Sequence, residues 1–123
     1  MREILFRGKT VCDGDWIYGG ITWNPSKKKV FIHTEWDEGE VIPETVGQYT
    51  GLQDKNGTKI FEGDIVHWKK VPYFVRWDSK KAEFVFANDM EADYFVVGFN
   101  EHTTMKFCKV VGNIHDKPEL LNK

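Results

Sequence analysis

The chain has 123 residues, 41% hydrophobic and 15% aromatic, with a formal net charge of −2 at pH 7. That length fits one domain able to bury roughly two-thirds of its unfolded surface, a core that needs no staple. The charge balance is not that of a nucleic-acid coat or a basic arm, no apolar run approaches the ~18 residues of a membrane span, and the start is too charged for a signal peptide.

Residues 3–7 alternate, with Ile4 and Phe6 on one face, and predict a strand that Gly8 ends. Cys12-Asp13-Gly14-Asp15 predicts a turn. Residues 16–21 predict a returning strand with Trp16 and Tyr18 on one face. Gly19 and Gly20 inside it predict a bulge or a close approach by another backbone. Asn24-Pro25-Ser26 reads as a turn, and Val30-Phe31-Ile32-His33 as a hairpin partner. Residues 35–40 are acidic, contain Gly39 and read as a solvated loop. Pro43-Glu44-Thr45 suits a single helical turn.

Residues 47–52 run into Asn56-Gly57, two residues that tolerate positive φ and predict a tight two-residue hairpin. Lys59-Ile60-Phe61 runs out. Gly63-Asp64 then bends the chain into Ile65-Val66-His67-Trp68, with Asp64 placed to accept backbone N–H groups. Mid-strand His67 reads as half-buried. Residues 73–77 form the next strand, with Tyr73, Val75 and Trp77 on one face. Asp78-Ser79-Lys80-Lys81 is a polar turn, and residues 82–86 return. Residues 94–99 suit a strand or a short helix, and residues 106–114 a late strand. Residues 116–121 suit a helical turn whose Leu120 and Leu121 dock on the sheet. Short strands at this spacing, with no sustained helical period, predict an all-β barrel or sandwich.

Three stretches carry a resemblance. The first is Met1-Arg2-Glu3-Ile4-Leu5-Phe6-Arg7-Gly8-Lys9 with Gly14-Asp15-Trp16-Ile17-Tyr18-Gly19. The second is Val46-Gly47-Gln48-Tyr49-Thr50-Gly51-Leu52, Asp54-Lys55-Asn56-Gly57 and Ile60-Phe61-Glu62-Gly63-Asp64-Ile65-Val66. The third runs over residues 110–121. In this order they resemble the signature of the YopX family, while residues 21–40 and 69–109 match it loosely. The resemblance implies a phage or prophage protein of unassigned biochemical role. It implies one all-β domain, with a β region at 1–46 that extends or covers an SH3-like barrel at 47–123. It supplies no catalytic residue.

Gly47, Tyr49, Gly51, Asn56, Gly57, Gly63 and Asp64 read as servants of backbone geometry. Cys12 and Cys108 form no Cys-x-x-Cys pair and read as free thiols in a reducing cytoplasm. His33, His67, His102 and His115 show no metal-ligand spacing. Asp13 and Asp15 around Gly14, and the alternating Asp89, Glu91 and Asp93, offer carboxylates to a hard cation. They lack the glycine and terminal glutamate of a calcium loop, and solvated loops are the plainer reading. Glu62 and Asp64, with Glu44 upstream, pair carboxylates, but a bend explains Asp64 better. There is no Gly-x-Ser-x-Gly, Walker loop or dinucleotide fingerprint, and Cys108 with His115 is no nucleophile–base arrangement. The expectation is no enzyme, no metal and no cofactor.

Binding remains, in two forms. Trp16, Tyr18 and Tyr49, near glycines, would anchor self-association or a host or phage protein. Lys69, Lys70, Arg76, Lys80 and Lys81 bracket Trp68, Tyr73, Phe74 and Trp77, a mixture that can hold phosphates while bases stack. Against this, the aromatics would fill the interior and the lysines would solubilise loops. The sequence puts the protein interface first and nucleic acid second.

Overall fold

Period-two alternation becomes strand after strand in the computed structural model, which describes residues 3–80, 82–87, 95–98 and 107–122. The protein is almost entirely β. Contacts divide it into two units, Met1–Tyr49 and Thr50–Lys123.

The first unit contains β1 (Phe6–Lys9), β2 (Trp16–Asn24), β3 (Lys29–His33), β4 (Glu38–Val41), a short 3-10 turn at Pro43–Thr45 and the beginning of β5 (Gly47–Gln53). The strands are antiparallel in the order β4-β3-β2-β1-β5. Val30, Ile32 and Val41 form its core, with Phe6, Ile17 and Val46 packed against them. Two expectations are corrected. Gly8 does not end the first strand but lies inside it, paired with Ile17, where an added Cβ would stand 3.0 Å from Val41. Residues 38–41 are not loop but an edge strand on β3: Val41 turns inward, while Glu38 meets His33 Nδ1 at 2.9 Å and Glu40 meets Lys29 Nζ at 3.8 Å. Of the two glycines in β2, Gly19 marks the close approach, since its Cβ would fall 1.9 Å from the His33 carbonyl oxygen.

The second unit holds the rest of β5, then β6 (Lys59–Phe61), β7 (Asp64–Trp68), β8 (Val71–Asp78), β9 (Glu83–Ala87), β10 (Phe95–Gly98), β11 (Cys108–Asn113) and a 3-10 turn at Pro118–Asn122. β6 lies beside β5, and an antiparallel sheet runs in the order β10-β9-β8-β7-β11. This sheet is covered on both faces. Ile60, Val66, Tyr73, Val75, Phe86 and Cys108 pack on one. Ile65, Phe74 and Ala87 pack on the other beneath Val111, Ile114, Leu120 and Leu121. Strand β8 accordingly buries adjacent residues, Phe74 and Val75, a pattern that alternation alone does not yield.

Two reversals position the site. At the first, β6 passes into β7 through Gly63, whose φ is +93°. Gly63 N–H donates to Val75 O at 2.8 Å, its carbonyl accepts Ile114 N–H at 2.9 Å, and Asp64 Oδ2 accepts Phe61 N–H at 2.8 Å. The second is the central hairpin, and it is not the two-residue turn expected. Gly57 has φ +83°, but Asn56 keeps a negative φ. Asp54 N–H donates to Thr58 O, and Gly57 N–H to Asp54 O, which closes a three-residue loop with glycine in the left-handed position. Asp54, 3% exposed, organises it. Its Oδ1 accepts Asn56 N–H and Thr58 N–H, and its Oδ2 accepts Val110 N–H from β11, each at 2.9 Å.

Asp54→Ala strips three N–H groups of their acceptor. With ~1–3 kcal/mol for each buried donor left unmade, a loss of about 3 kcal/mol or more is expected in urea unfolding. Asp54→Asn keeps one acceptor oxygen but turns an amide toward a donor, so it should fall between. A loss below about 1 kcal/mol for the alanine variant contradicts this account.

Candidate anion-binding groove

Each unit carries an open groove, and the two have opposite charge. The groove of the first unit, about 470 Å³, is lined by Thr10, Cys12, Asp13, Asp15, Asp37, Glu38 and Glu40 among others. Its carboxylates are largely engaged in local structure. Asp13 accepts the Thr10 hydroxyl and, at 3.2 Å, Asp15 N–H; these bonds, the hydroxyl first, hold its carboxyl below the usual range. Asp37 Oδ1 accepts Glu38 N–H at 2.7 Å, and Glu38 and Glu40 face His33 and Lys29. Among the described residues no three His, Cys, Asp or Glu side chains are grouped to hold a metal ion.

The groove of the second unit, about 420 Å³, is lined by Lys55, His67, Lys69, Lys70, Phe107 and Lys109. Four elements bring these residues together. Lys55 occupies the loop that Asp54 closes, and Lys55 N–H donates to Cys108 O at 3.1 Å. Lys109 sits opposite His67 in the β7–β11 pairing. Lys69 and Lys70 form the connection between β7 and β8, whose last pair is Trp68 with Val71. His67 is exposed rather than half-buried, since it points from the sheet into this groove.

The Lys69–Lys70 connection is a tight two-residue turn. The φ values are +54° and +65°, left-handed at both central positions, as such a hairpin demands. Asn-Gly adopts this conformation easily, whereas lysine does so at a cost of about 1 kcal/mol or more per residue. Lys69 Nζ lies 5.0 Å from the Trp68 ring centroid. Among the described residues no carboxylate lines the groove, and none of its four lysines has an ion-pair partner.

The expected nucleic-acid residues are therefore divided. Lys69 and Lys70 enter the groove. Trp68 supports the turn from below: it is half-buried, packs on the Ile60–Phe86 core and lies 6.1 Å from Tyr73 between ring centroids. Tyr73 and Phe74 are buried. Trp77 is 45% exposed and edge-on to Phe84, but it lies at the far end of β8, and Lys80 in the turn beyond it. From Lys70 to Trp77 the strand spans roughly 23 Å at ~3.3 Å per residue. Arg76 is half-buried between the two ends. Lys81, His102, Asp89, Glu91 and Asp93 lie outside the described residues. Nothing local in the sequence marks Lys55, Lys109 and Phe107 as groove residues, because only strand pairing brings them to the turn.

Of the expected interface residues, Tyr18 is exposed. Trp16 is half-buried beneath the Arg7 guanidinium, 4.6 Å from its ring centroid. Tyr49 is corrected: at 7% exposure it belongs to the interior and offers no anchor. The backbone residues behave as geometry. Gly47 pairs with Arg7, Gly51 has φ +91°, and Asn56, Gly57, Gly63 and Asp64 build the two reversals. Glu62 flanks Gly63, Glu44 lies in the first 3-10 turn, and His115 N–H donates to Asn113 Oδ1. Cys12 is exposed and Cys108 buried, and neither is in a disulfide. Burial, and then the Asp54 charge, push the Cys108 thiol up to about 12.

The family model for "YopX protein" matches residues 7–122. No curated protein matches the chain. Among solved structures, the chain is similar to protein EF1440 from Enterococcus faecalis, with a TM-score of 0.68 and 19% identity over 98% of this chain and 99% of that one. At that identity the likeness concerns the fold.

Two outcomes follow from this geometry. Replacing Lys69-Lys70 by Asn-Gly should raise stability by about 1 kcal/mol or more, read as a higher urea midpoint at unchanged slope; an unchanged or lower midpoint would mean that the turn stores no strain. A thiol reagent near neutral pH should titrate Cys12 alone until the chain is unfolded. As pH rises past 9, where an ordinary thiol ionises, the unfolded chain sheds a proton that the fold keeps to about 12. Stability should therefore fall across that window, and less steeply in Cys108→Ala.

Proposed function

The chain belongs to the YopX family, and we propose that it works by binding rather than catalysis, holding nucleic acid on the groove of the second unit. The observation behind this reading is the convergence of Lys55, Lys69, Lys70 and Lys109 on one recess with no acidic neighbour in its lining among the described residues. Like charges brought together repel, so the cluster costs stability unless an anion neutralises it. A phosphate ~4 Å from one lysine gains about 1 kcal/mol in water and up to about 4 kcal/mol near a protein surface, before screening by salt. Four such contacts make a useful site, and a polyanion can satisfy them at once.

The reading keeps a small phage or prophage accessory protein in the host cytoplasm, with an SH3-like second half. Its support is the family membership, two cysteines outside any disulfide and the antiparallel order of the second unit's strands. It reverses the ranking drawn from the sequence: the lysines converge, while Tyr49 drops out of the surface. A protein interface or self-association on the first unit is the second reading, favoured by exposed Tyr18, Trp23 and Trp36, the last at 88%.

Fluorescence anisotropy with a labelled oligonucleotide tests the proposal. If four lysines displace counterions, log K against log salt should slope near −2.8 for a single strand or near −3.6 for a duplex, from ~0.7 or ~0.9 per contact. Each Lys→Ala in the groove should flatten the slope by about that increment. Binding insensitive to salt, or unchanged in Lys69→Ala/Lys70→Ala, would sink the nucleic-acid reading.

A further inference from the structure

We infer that His67 makes the groove's hold on phosphate proton-linked, so that binding tightens and takes up a proton as the solution turns mildly acidic; this rests on the nucleic-acid reading above. Val66 and Trp68 pack on the Ile60–Phe86 core. Alternation turns His67, between them, to the opposite face of β7, where it is exposed and lines the recess. Its neighbours come from each element around it. Lys109 stands directly across the ladder on β11, the position in which paired side chains come within about 5 Å at Cβ. Lys55 enters from the β5–β6 loop, and Lys69 and Lys70 from the β7–β8 turn. Pro72, opposite on β8, carries no charge. Among the described residues the lining holds no carboxylate to pair with a protonated ring.

A lysine ammonium keeps its charge throughout the mildly acidic and neutral range, whereas a histidine changes charge within it. The recess therefore offers four cations at its upper end and a fifth at its lower end. A neutral imidazole presents one N–H and one lone pair, and the lone pair is a poor neighbour for a phosphate oxygen. The protonated ring presents two N–H donors and a positive charge. In the empty groove the proton adds a fifth cation to four. With a phosphodiester in place it meets a negative charge instead. Phosphate on the groove favours the proton on His67, and the proton favours the phosphate by the same factor. The proton comes from the buffer, and no bond in the ligand changes.

The experiment uses a labelled oligothymidine with a free 5′-hydroxyl, whose diesters and bases hold their charge across the range, so that any titration belongs to the protein. Anisotropy should show binding strengthen at least about fivefold from about pH 8 to about pH 5.5, the gain from one cation ~4 Å from a phosphate in water. Log K against log salt should steepen from about −2.8 to about −3.5, one further contact at ~0.7. Calorimetry in buffers of different ionisation enthalpy should register proton uptake on binding. His67→Gln keeps a polar side chain that does not titrate. It should flatten the pH profile, at or below the parent's affinity at the alkaline end, and abolish the uptake. His67→Lys fixes the fifth charge; it should restore tight binding and hold it at both ends of the range. Circular dichroism confirms that both variants fold. If His67→Gln keeps the parent's pH dependence, or binding takes up no proton, the inference is overturned while the nucleic-acid reading can stand. If oligothymidine binds at neither pH, both fall.

Discussion

The Asp54 carboxylate accepts three backbone N–H groups, two inside its own hairpin loop and one from Val110 in β11. Burying a carboxylate is costly unless hydrogen bonds compensate, and charge-assisted bonds to N–H groups do so well. The consequence is mechanical. The loop shape, the register of β11 and the position of Lys55 are set by one side chain. Lys55, Phe107 and Lys109 can line one recess because the β5–β6 loop is tied to β11 at this point. The same burial makes Cys108 a poor thiolate, so the residue next to the groove contributes packing, not reactivity.

Where local chemistry decides structure, the sequence is readable. Gly63 and Asp64 mark a bend because positive φ and a short carboxylate are what a bend uses. Leu120 and Leu121 are apolar beside a proline, and they cap one face of the sheet. Reading fails where long-range pairing overrides local preference. Glu38-Gly39-Glu40 looks like solvated loop, yet β3 supplies hydrogen bonds, His33 and Lys29 offset the acids, and the buried Val41 fixes the register. Asn56-Gly57 looks like a two-residue turn, yet Asp54 captures Asn56 N–H and widens the loop to three residues. Lys69-Lys70 carries no turn signal at all. The reversal there is imposed by the pairing of His67 with Pro72 and Trp68 with Val71.

The site was half legible for the same reason. Lys69 and Lys70 are adjacent in sequence to a tryptophan, so they could be singled out. Lys55 and Lys109 reach them only through the β5–β6 loop and the β7–β11 ladder. Net charge was a poor guide because it averages over segregation. The −2 total conceals a recess in the second unit with four lysines and another in the first with five carboxylates. Electrostatic attraction acts over about 8 Å at physiological salt, so the recess, not the sum, governs what approaches it.

Left-handed lysines at the tip of β7–β8 sharpen this point. A turn of this type accepts asparagine or glycine at little cost, and apart from the Lys69 ammonium over the Trp68 ring the surroundings of residues 69 and 70 do not require lysine: both are exposed. Strain of about 1 kcal/mol or more per residue is therefore offset only in part inside the described fold, by one cation–π contact worth ~0.5–1 kcal/mol. Repulsion among four clustered cations adds to it. The proposed binding would offset these terms, and a ligand that did so would supply negative charge to Lys55, Lys69, Lys70 and Lys109. A protein surface can offer that charge through scattered carboxylates, whereas a nucleic-acid strand carries it at a fixed repeat.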